Sequence, residues 1–290
     1  MKKLLSFLML IDIILCGINL VAHADANDQV IEDAKLLYTK IHEFLDTTKD
    51  CPPEDFDKVC VDYMLKKSDP LTVLDKDAFE AQTKSAVKLY RGVPKKEFAD
   101  DMKMGKFYIG SGISNVRGSG IYTTTSVDCA NHYTDGTGEV ITLAMNNDAK
   151  VVEMSYLKQV ICKMREMYPE EFKCTLEDDL LYDSMGDWIA TQMKDYFKDD
   201  YDTFLLGEVP DESIKLACNY MRAQPDFSKL VENRKKYYKN KIAAIFYNRG
   251  LSAKLLGYDV LHSVASLRDF FSQEEEEYLI LNAGVLWVCK

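Results

Sequence analysis

Four consecutive glutamates, residues 274–277, run directly into the apolar segment 278–281 near the end of the chain. A run of like charges at a loop tip is usually solvated and carries no chemistry. A carboxylate beside a strand, however, can stabilise a growing positive charge or take a bidentate pair of hydrogen bonds from a guanidinium. The run therefore has two interpretations, a solvated turn or a pair of working carboxylates, and the rest of the chain has to decide between them.

Two other polar features sit on segments that otherwise have the pattern of buried strands. Arg91 lies in LYRGV, and the hydroxyl residues Thr124, Thr125 and Ser126 end the segment GIYTTTS. A buried arginine is costly unless it meets an anion, and the adjacent Gly92 allows a ligand to approach the backbone closely. Each feature alone is weak, since hydroxyls are common in strands.

In chain order, LYRGV, GIYTTTS and EEEEYLILN resemble the Arg, aromatic-x-Ser-Thr-Ser and Glu-x-Glu motifs of the arginine-type mono-ADP-ribosyltransferases. That family includes secreted bacterial toxins and effectors, and the intervening segments also resemble transferase domains of some phage head proteins. The resemblance covers roughly residues 88–152 and 243–288 and leaves out the N-terminal helices and most of the helical block. Thr124 stands where the family usually has serine, which keeps the hydroxyl and adds a methyl group.

The resemblance implies an enzyme that uses NAD and breaks its nicotinamide–ribose bond through an oxocarbenium-like state. Glu277, held by Thr124, would bind the ribose hydroxyl and stabilise the positive charge. Arg91 would hold the pyrophosphate as a rigid fork, and the Gly92 backbone would meet the nicotinamide amide. The other residues assigned to NAD binding are Thr125, Ser126 and Tyr133, the last as a stacking group.

Glu275 would choose the acceptor, because the family pairs a glutamate at this place with guanidinium acceptors. The expected reaction is transfer of ADP-ribose onto an accessible arginine of a target protein, with release of nicotinamide. The pair Glu274 and Glu276 is the alternative register for the catalytic carboxylates. Two other functions stay open: an NAD glycohydrolase that uses the same residues with water as acceptor, and a catalytically inactive binding module.

The elements that would position these residues fall into two groups of predicted strands. Residues 86–93, 118–126, 138–145 and 149–154 form the first group, and residues 258–264, 277–282 and 285–290 form the second, about 100 mostly helical residues later. This order predicts an α+β fold. The resemblance implies an ADP-ribosyltransferase-like core of two packed, mainly antiparallel sheets. The expected divisions are an N-terminal helical region, 25–86, and a transferase domain, 87–290, with a helical insertion at about 156–240.

The N-terminus has the pattern of a cleavable secretory signal. Lys2 and Lys3 precede an apolar stretch interrupted by Asp12, and a small-x-small sequence ends at Ala24. We therefore expect residues 1–24 to be removed and the mature protein to be secreted, without a membrane span.

Composition excludes several other classes of function. The net charge of −11 argues against broad nucleic-acid binding. Neither His-Glu-x-x-His nor a zinc-type cysteine spacing occurs, so no metal is expected. The glycines of residues 110–120 precede no predicted helix, which argues against a Rossmann site. The pairings of Cys51 with Cys60 and of Cys162 with Cys174 are both open, since connectivity does not follow from sequence.

Overall fold

The computed structural model describes residues 28–109, 118–134, 138–171, 192, 194–200, 213, 216–217, 219–220, 223–225, 241–266 and 274–290. The expected signal, the glycine-rich segment 110–117, Cys174 and most of the expected helical insertion lie outside this part of the chain. The main helices are residues 28–47 (α1), Phe56–Lys66 (α2), Lys76–Gln82 (α3), Lys96–Lys103 (α4), Val127–His132 (α5), Met154–Met167 (α6), Lys241–Tyr247 (α7) and Arg249–Leu255 (α8).

Eight strands form one mixed sheet in the order β1-β8-β4-β2-β3-β7-β6-β5. Their bounds are Thr72–Leu74 (β1), Val87–Val93 (β2), Ile121–Thr124 (β3), Glu139–Met145 (β4), Val151–Glu153 (β5), Val260–Ser266 (β6), Glu274–Ile280 (β7) and Leu286–Cys289 (β8). Five of the seven strand pairs are antiparallel, and the two outermost, β1 with β8 and β5 with β6, are parallel.

A narrow junction divides the sheet into two halves. β2 and β3 share a single register pair, Tyr90 opposite Thr124, whereas β2 pairs with β4 along all seven of its residues. The halves β1-β8-β4-β2 and β3-β7-β6-β5 are therefore joined at one point. The α+β class and the mainly antiparallel pairing are confirmed; two packed sheets were expected, and the strands of the described chain form one continuous sheet.

An apolar cluster covers each face of the sheet. The larger cluster joins α1, α2 and α6–α8 to Leu261, Leu279 and Leu281 of the strand region. The smaller cluster joins α4 to strand residues on the opposite face of the sheet, among them Leu89, Val93, Ile141, Tyr278 and Ile280. Because side chains alternate along a strand, membership of a cluster identifies the face on which each neighbouring residue lies.

All seven predicted strands are present, with two differences. β7 begins at Glu274, so the glutamate run is part of the strand rather than a solvated loop tip. β1 was not predicted, and it adds a strand to a region whose pattern had indicated helices alone. Within the described residues, no helix is both long and apolar enough to cross a membrane. Cys51, Cys60 and Cys162 are free thiols, so Cys51 and Cys60 are not bonded to each other.

Candidate functional site

Thr124 and Glu277 stand directly opposite each other on the antiparallel strands β3 and β7. Residues in this relation share a face of the sheet, with Cβ atoms about 4.5–5.5 Å apart. Thr124 is buried and Glu277 is half-buried. The Thr124 hydroxyl oxygen accepts a hydrogen bond from the Ser126 backbone N–H at 3.1 Å. Its own proton is therefore available to donate on the face that Glu277 occupies.

Strand pairing gives neighbouring glutamates of the run different surroundings. Glu276 and Glu277 lie on opposite faces, because successive residues of a strand alternate. Glu276 is exposed, and its carboxylate accepts a hydrogen bond of 3.1 Å from the Tyr278 hydroxyl. The Glu275 backbone pairs with Ala265 of β6, while the side chains of Glu274 and Glu275 lie outside the described residues. Of the two candidate registers, the one containing Glu277 meets Thr124.

Arg91 lies on β2, next to the residue that forms the junction with β3. Its Nε and Nη1 atoms are buried, and within the described structure they have no hydrogen-bond partner. Burial lowers the pKa of the guanidinium to about 10, because desolvation disfavours the charged form. Desolvated N–H donors of a cation are costly unless an anion meets them, so Arg91 is a candidate anion-binding residue.

Arg91 does not share a face with Thr124 and Glu277. Strand alternation places it with Leu89 and Val93, on the side of the smaller cluster. Its register partner is Ile141 of β4, and on the β3 side the pairing ends at Tyr90. Arg91 thus borders the place where the two halves of the sheet separate.

Helix α5 packs directly against Gly92. A Cβ added there would lie 1.8 Å from the Ala130 carbonyl oxygen and 3.0 Å from the Tyr133 Cβ atom. The helix starts immediately after β3, where the Ser126 Oγ atom accepts a hydrogen bond of 3.1 Å from the Cys129 N–H. The structure therefore brings Gly92 and the exposed Tyr133 together, and Thr125 is exposed directly after the end of β3.

Sequence reasoning assigned no role to β6, yet this strand contributes to the surroundings of the glutamates. Ser263 is buried and stands opposite Glu277. His262 stacks on Tyr278 with ring centroids 4.5 Å apart, and its Nδ1 atom lies 2.8 Å from Glu153 Oε1. Burial and the bond to Glu276 raise the pKa of Tyr278 to about 12. These residues can be recognised only from the pairing of β6 with β7, and local sequence does not determine that pairing.

No group of three or more His, Cys, Asp and Glu side chains in the described chain is arranged to hold a metal ion. Comparisons of the chain with family models, with curated proteins and with solved structures found no match in any of the three. A functional conclusion therefore has to rest on the motifs and on their geometry.

Proposed function

We propose that this protein is a secreted mono-ADP-ribosyltransferase that transfers ADP-ribose from NAD onto an arginine of a target protein and releases nicotinamide. The observation that carries the proposal is the register pair of Thr124 and Glu277, one strand away from Arg91, whose buried Nε and Nη1 atoms have no partner among the described residues. The three motifs are far apart in sequence, yet they occur on the three neighbouring strands β2, β3 and β7.

Glu277 supplies the negative charge that the reaction needs. Cleavage of the nicotinamide–ribose bond builds positive charge on the ribose, as glycoside hydrolysis does. The half-buried Glu277 carboxylate, directly opposite Thr124 of β3, stabilises that charge. Removal of one such preorganised partner typically costs about 3 to 4 kcal/mol, roughly a thousandfold in rate.

Arg91 binds the pyrophosphate. Its buried Nε and Nη1 atoms carry N–H donors. The two phosphates of NAD provide the paired acceptor oxygens that a guanidinium binds best. Because Arg91 and Glu277 lie on opposite faces, the dinucleotide has to pass the place where β2 and β3 separate beyond Tyr90. Gly92, at the same place, meets the nicotinamide amide through its backbone, and Tyr133 lies beside it.

The transferase core that we propose corresponds to the two halves of the sheet. The half β1-β8-β4-β2 carries Arg91 and Gly92, and the half β3-β7-β6-β5 carries Thr124 and Glu277. A single register pair leaves the two halves free to diverge on either side of the junction. The NAD site lies along this divide.

Glu275, two residues before Glu277 on β7, selects a guanidinium as acceptor. A carboxylate takes a bidentate pair of hydrogen bonds from arginine and assists its deprotonation. The neighbouring negative charges of the run favour a cationic target further.

Incubation of the mature protein, residues 25–290, with tagged NAD and a cell lysate tests the proposal. Wild type should label lysate proteins, and Glu277→Gln should lose labelling and NAD consumption by about a thousandfold. Glu276→Gln is the matched control: it removes the same charge from the adjacent residue on the other face and should keep most of the activity. Glu275→Gln should lose labelling while NAD is still consumed.

Equal labelling by wild type and Glu277→Gln would reject the assignment. Free ADP-ribose without labelled protein would identify a glycohydrolase. No NAD consumption by wild type would leave the inactive binding module as the function.

A further inference from the structure

A groove of about 490 Å³ lies where the helices α1, α2 and α8 meet. This volume falls in the range of cavities that bind small organic molecules, about 300–1,000 Å³. Its apolar lining includes Phe44, Tyr63 and Leu255, and the Phe44 and Tyr63 rings meet edge to face with centroids 4.9 Å apart. The groove therefore has room and an apolar surface for more than a bare inorganic ion.

Three lysines line this groove, although the protein as a whole carries a net charge of −11. Lys40 binds Glu43, a carboxylate of the same lining, at 2.6 Å. The ammonium groups of Lys67 and Lys254 form neither a hydrogen bond nor an ion pair within the described chain. The lining therefore keeps two positive charges that no carboxylate pairs with.

The ammonium group of Lys254 is partly removed from water. The residue is half-buried on α8, and burial lowers its pKa, an effect that the charges of Asp259 and Asp69 oppose. Both carboxylates accept hydrogen bonds from the side-chain amide of Asn282, at 3.0 and 3.2 Å, and neither forms an ion pair with Lys254. A desolvated cation is stabilised most by an anion that meets it directly.

Tyr63 adds a neutral donor to the same groove. Burial raises the pKa of its hydroxyl, which is therefore protonated at neutral pH, and this hydroxyl makes no hydrogen bond with the described chain. The Thr47 hydroxyl, by contrast, already donates to the Phe44 carbonyl at 2.7 Å. Two ammonium groups and one phenol are thus uncommitted donors around one concave surface.

We propose that this groove is a second ligand site, separate from the NAD site, and that it binds a phosphate monoester with an aromatic body. A phosphate monoester carries nearly two negative charges at neutral pH, which matches the two unpaired lysines. Lysine binds phosphate as a point charge on a flexible stem, so Lys67 and Lys254 can meet one phosphate group, and the Tyr63 hydroxyl donates to it as well. The aromatic body packs against Leu255 and the Tyr63 ring.

Isothermal titration calorimetry of residues 25–290 with phenyl phosphate tests the site. Wild type should bind one equivalent, and Lys67→Met and Lys254→Met should each weaken binding by about tenfold, because each removes a hydrogen bond to a charged group. Lys66→Met is the matched control: it removes the same charge from the exposed neighbour of Lys67, outside the lining, and should bind as wild type does. Should Lys254→Met fail to fold, the exposed Lys67 still provides the test.

Inorganic phosphate distinguishes a site for an organic ligand from a simple anion site. Because it lacks the apolar body, it should bind at least about tenfold more weakly than phenyl phosphate. Equal binding of the two probes would overturn the assigned ligand class. Absence of phenyl phosphate binding, or equal weakening by Lys66→Met and Lys67→Met, would overturn the site itself.

The NAD site is tested in the same titration. None of the groove residues lies on β2, β3 or β7, so Arg91→Met should leave phenyl phosphate binding unchanged. Loss of binding in Arg91→Met would assign the probe to the NAD site and overturn this inference. Retained binding in a protein that consumes no NAD would support the groove and reject the proposed transferase function alone.

Discussion

The guanidinium of Arg91 is an energetically unfavourable feature of the candidate site, because two of its buried nitrogens have no partner in the described structure. Proteins rarely keep an unpaired buried charge, because its desolvation is not repaid by any bond within the fold. Arg91 is half-buried, and its buried Nε and Nη1 atoms have no hydrogen-bond partner in the described structure, on a strand whose alternate residues Leu89 and Val93 belong to an apolar cluster. An apolar residue of similar volume would avoid this desolvation cost, and the proposed NAD site gives Arg91 an anionic partner.

Replacement of Arg91 by methionine should stabilise the protein without NAD. Methionine fills a similar volume and needs no partner, so we expect a gain of about 1 to 3 kcal/mol and a rise of roughly 2 to 10 °C in Tm. The folded-state pKa, about 10, lies below the ordinary value of 12.5, so the destabilisation is constant below pH 9 and decreases only above pH 10. The gain should therefore be equal at pH 6 and pH 9.

Differential scanning calorimetry with and without NAD measures both effects. NAD should raise the Tm of wild type but not that of Arg91→Met. Lys88→Met, an exposed change on the same strand, should leave the NAD response intact. A lower Tm for Arg91→Met than for wild type would mean that Arg91 has a stabilising partner in the folded protein.

The contact between α5 and β2 holds the hydroxyl residues 124–126 beside Arg91 and Gly92. Helix α5 has only six residues, and Gly92 allows its Ala130 carbonyl to approach the strand. The close approach depends on the missing side chain rather than on an unusual backbone conformation, since the φ angle of Gly92 is not positive. A change here should therefore act on packing between two elements.

Gly92→Ala should destabilise the protein by about 3 kcal/mol, because the new methyl group would have to push α5 away from β2. Gly257→Ala is the matched control: its φ angle is +87°, but nothing lies within 4 Å of the added Cβ. That variant should cost about 1 kcal/mol, from backbone strain alone. Urea unfolding measures both. Similar costs for the two variants would show that α5 does not pack on Gly92 as described.

At the level of elements, local sequence patterns predicted the strands whose own residues alternate. They missed features that depend on pairing with a distant strand. Alternating apolar residues identified β2, β4, β6 and their neighbours. β1 has only three residues, too few for a periodic pattern, and is recognised by its pairing with β8. The first half of β7 consists of glutamates, which have low strand propensity, and pairing with β6 overrides that preference. Arg91, Thr124 and Glu277 stand out through their motifs, whereas Ser263 does not.

Across the whole molecule, the N-terminal region is built into the same fold as the candidate site. Five buried residues of α1 belong to the larger cluster: Val30, Ala34, Leu37, Ile41 and Phe44. β1 pairs with β8 at the edge of the sheet, and Asn282 Oδ1 accepts a hydrogen bond of 2.8 Å from the Asp69 N–H. The order of strands that creates these contacts joins residues far apart in sequence, which local patterns do not encode.

Truncation to residues 87–290 should therefore give a chain that does not fold. It would expose the larger cluster and leave one edge of the sheet without β1. Near-UV circular dichroism and proton NMR should show loss of fixed packing, while residues 25–290 should unfold cooperatively. A folded, NAD-binding 87–290 fragment would contradict this expectation and identify the N-terminal region as a separable domain.

The glutamates of β7 are identical to one another, so their side chains cannot determine which of them faces Thr124. That decision is made further along the strand, where the Thr123 hydroxyl bonds the Tyr278 carbonyl and Leu279 and Ile280 pack into different clusters. A slip by one residue would exchange Glu277 for Glu276 and also turn every aliphatic side chain to the wrong side. Residues outside the candidate site thus determine which of the four glutamates faces Thr124.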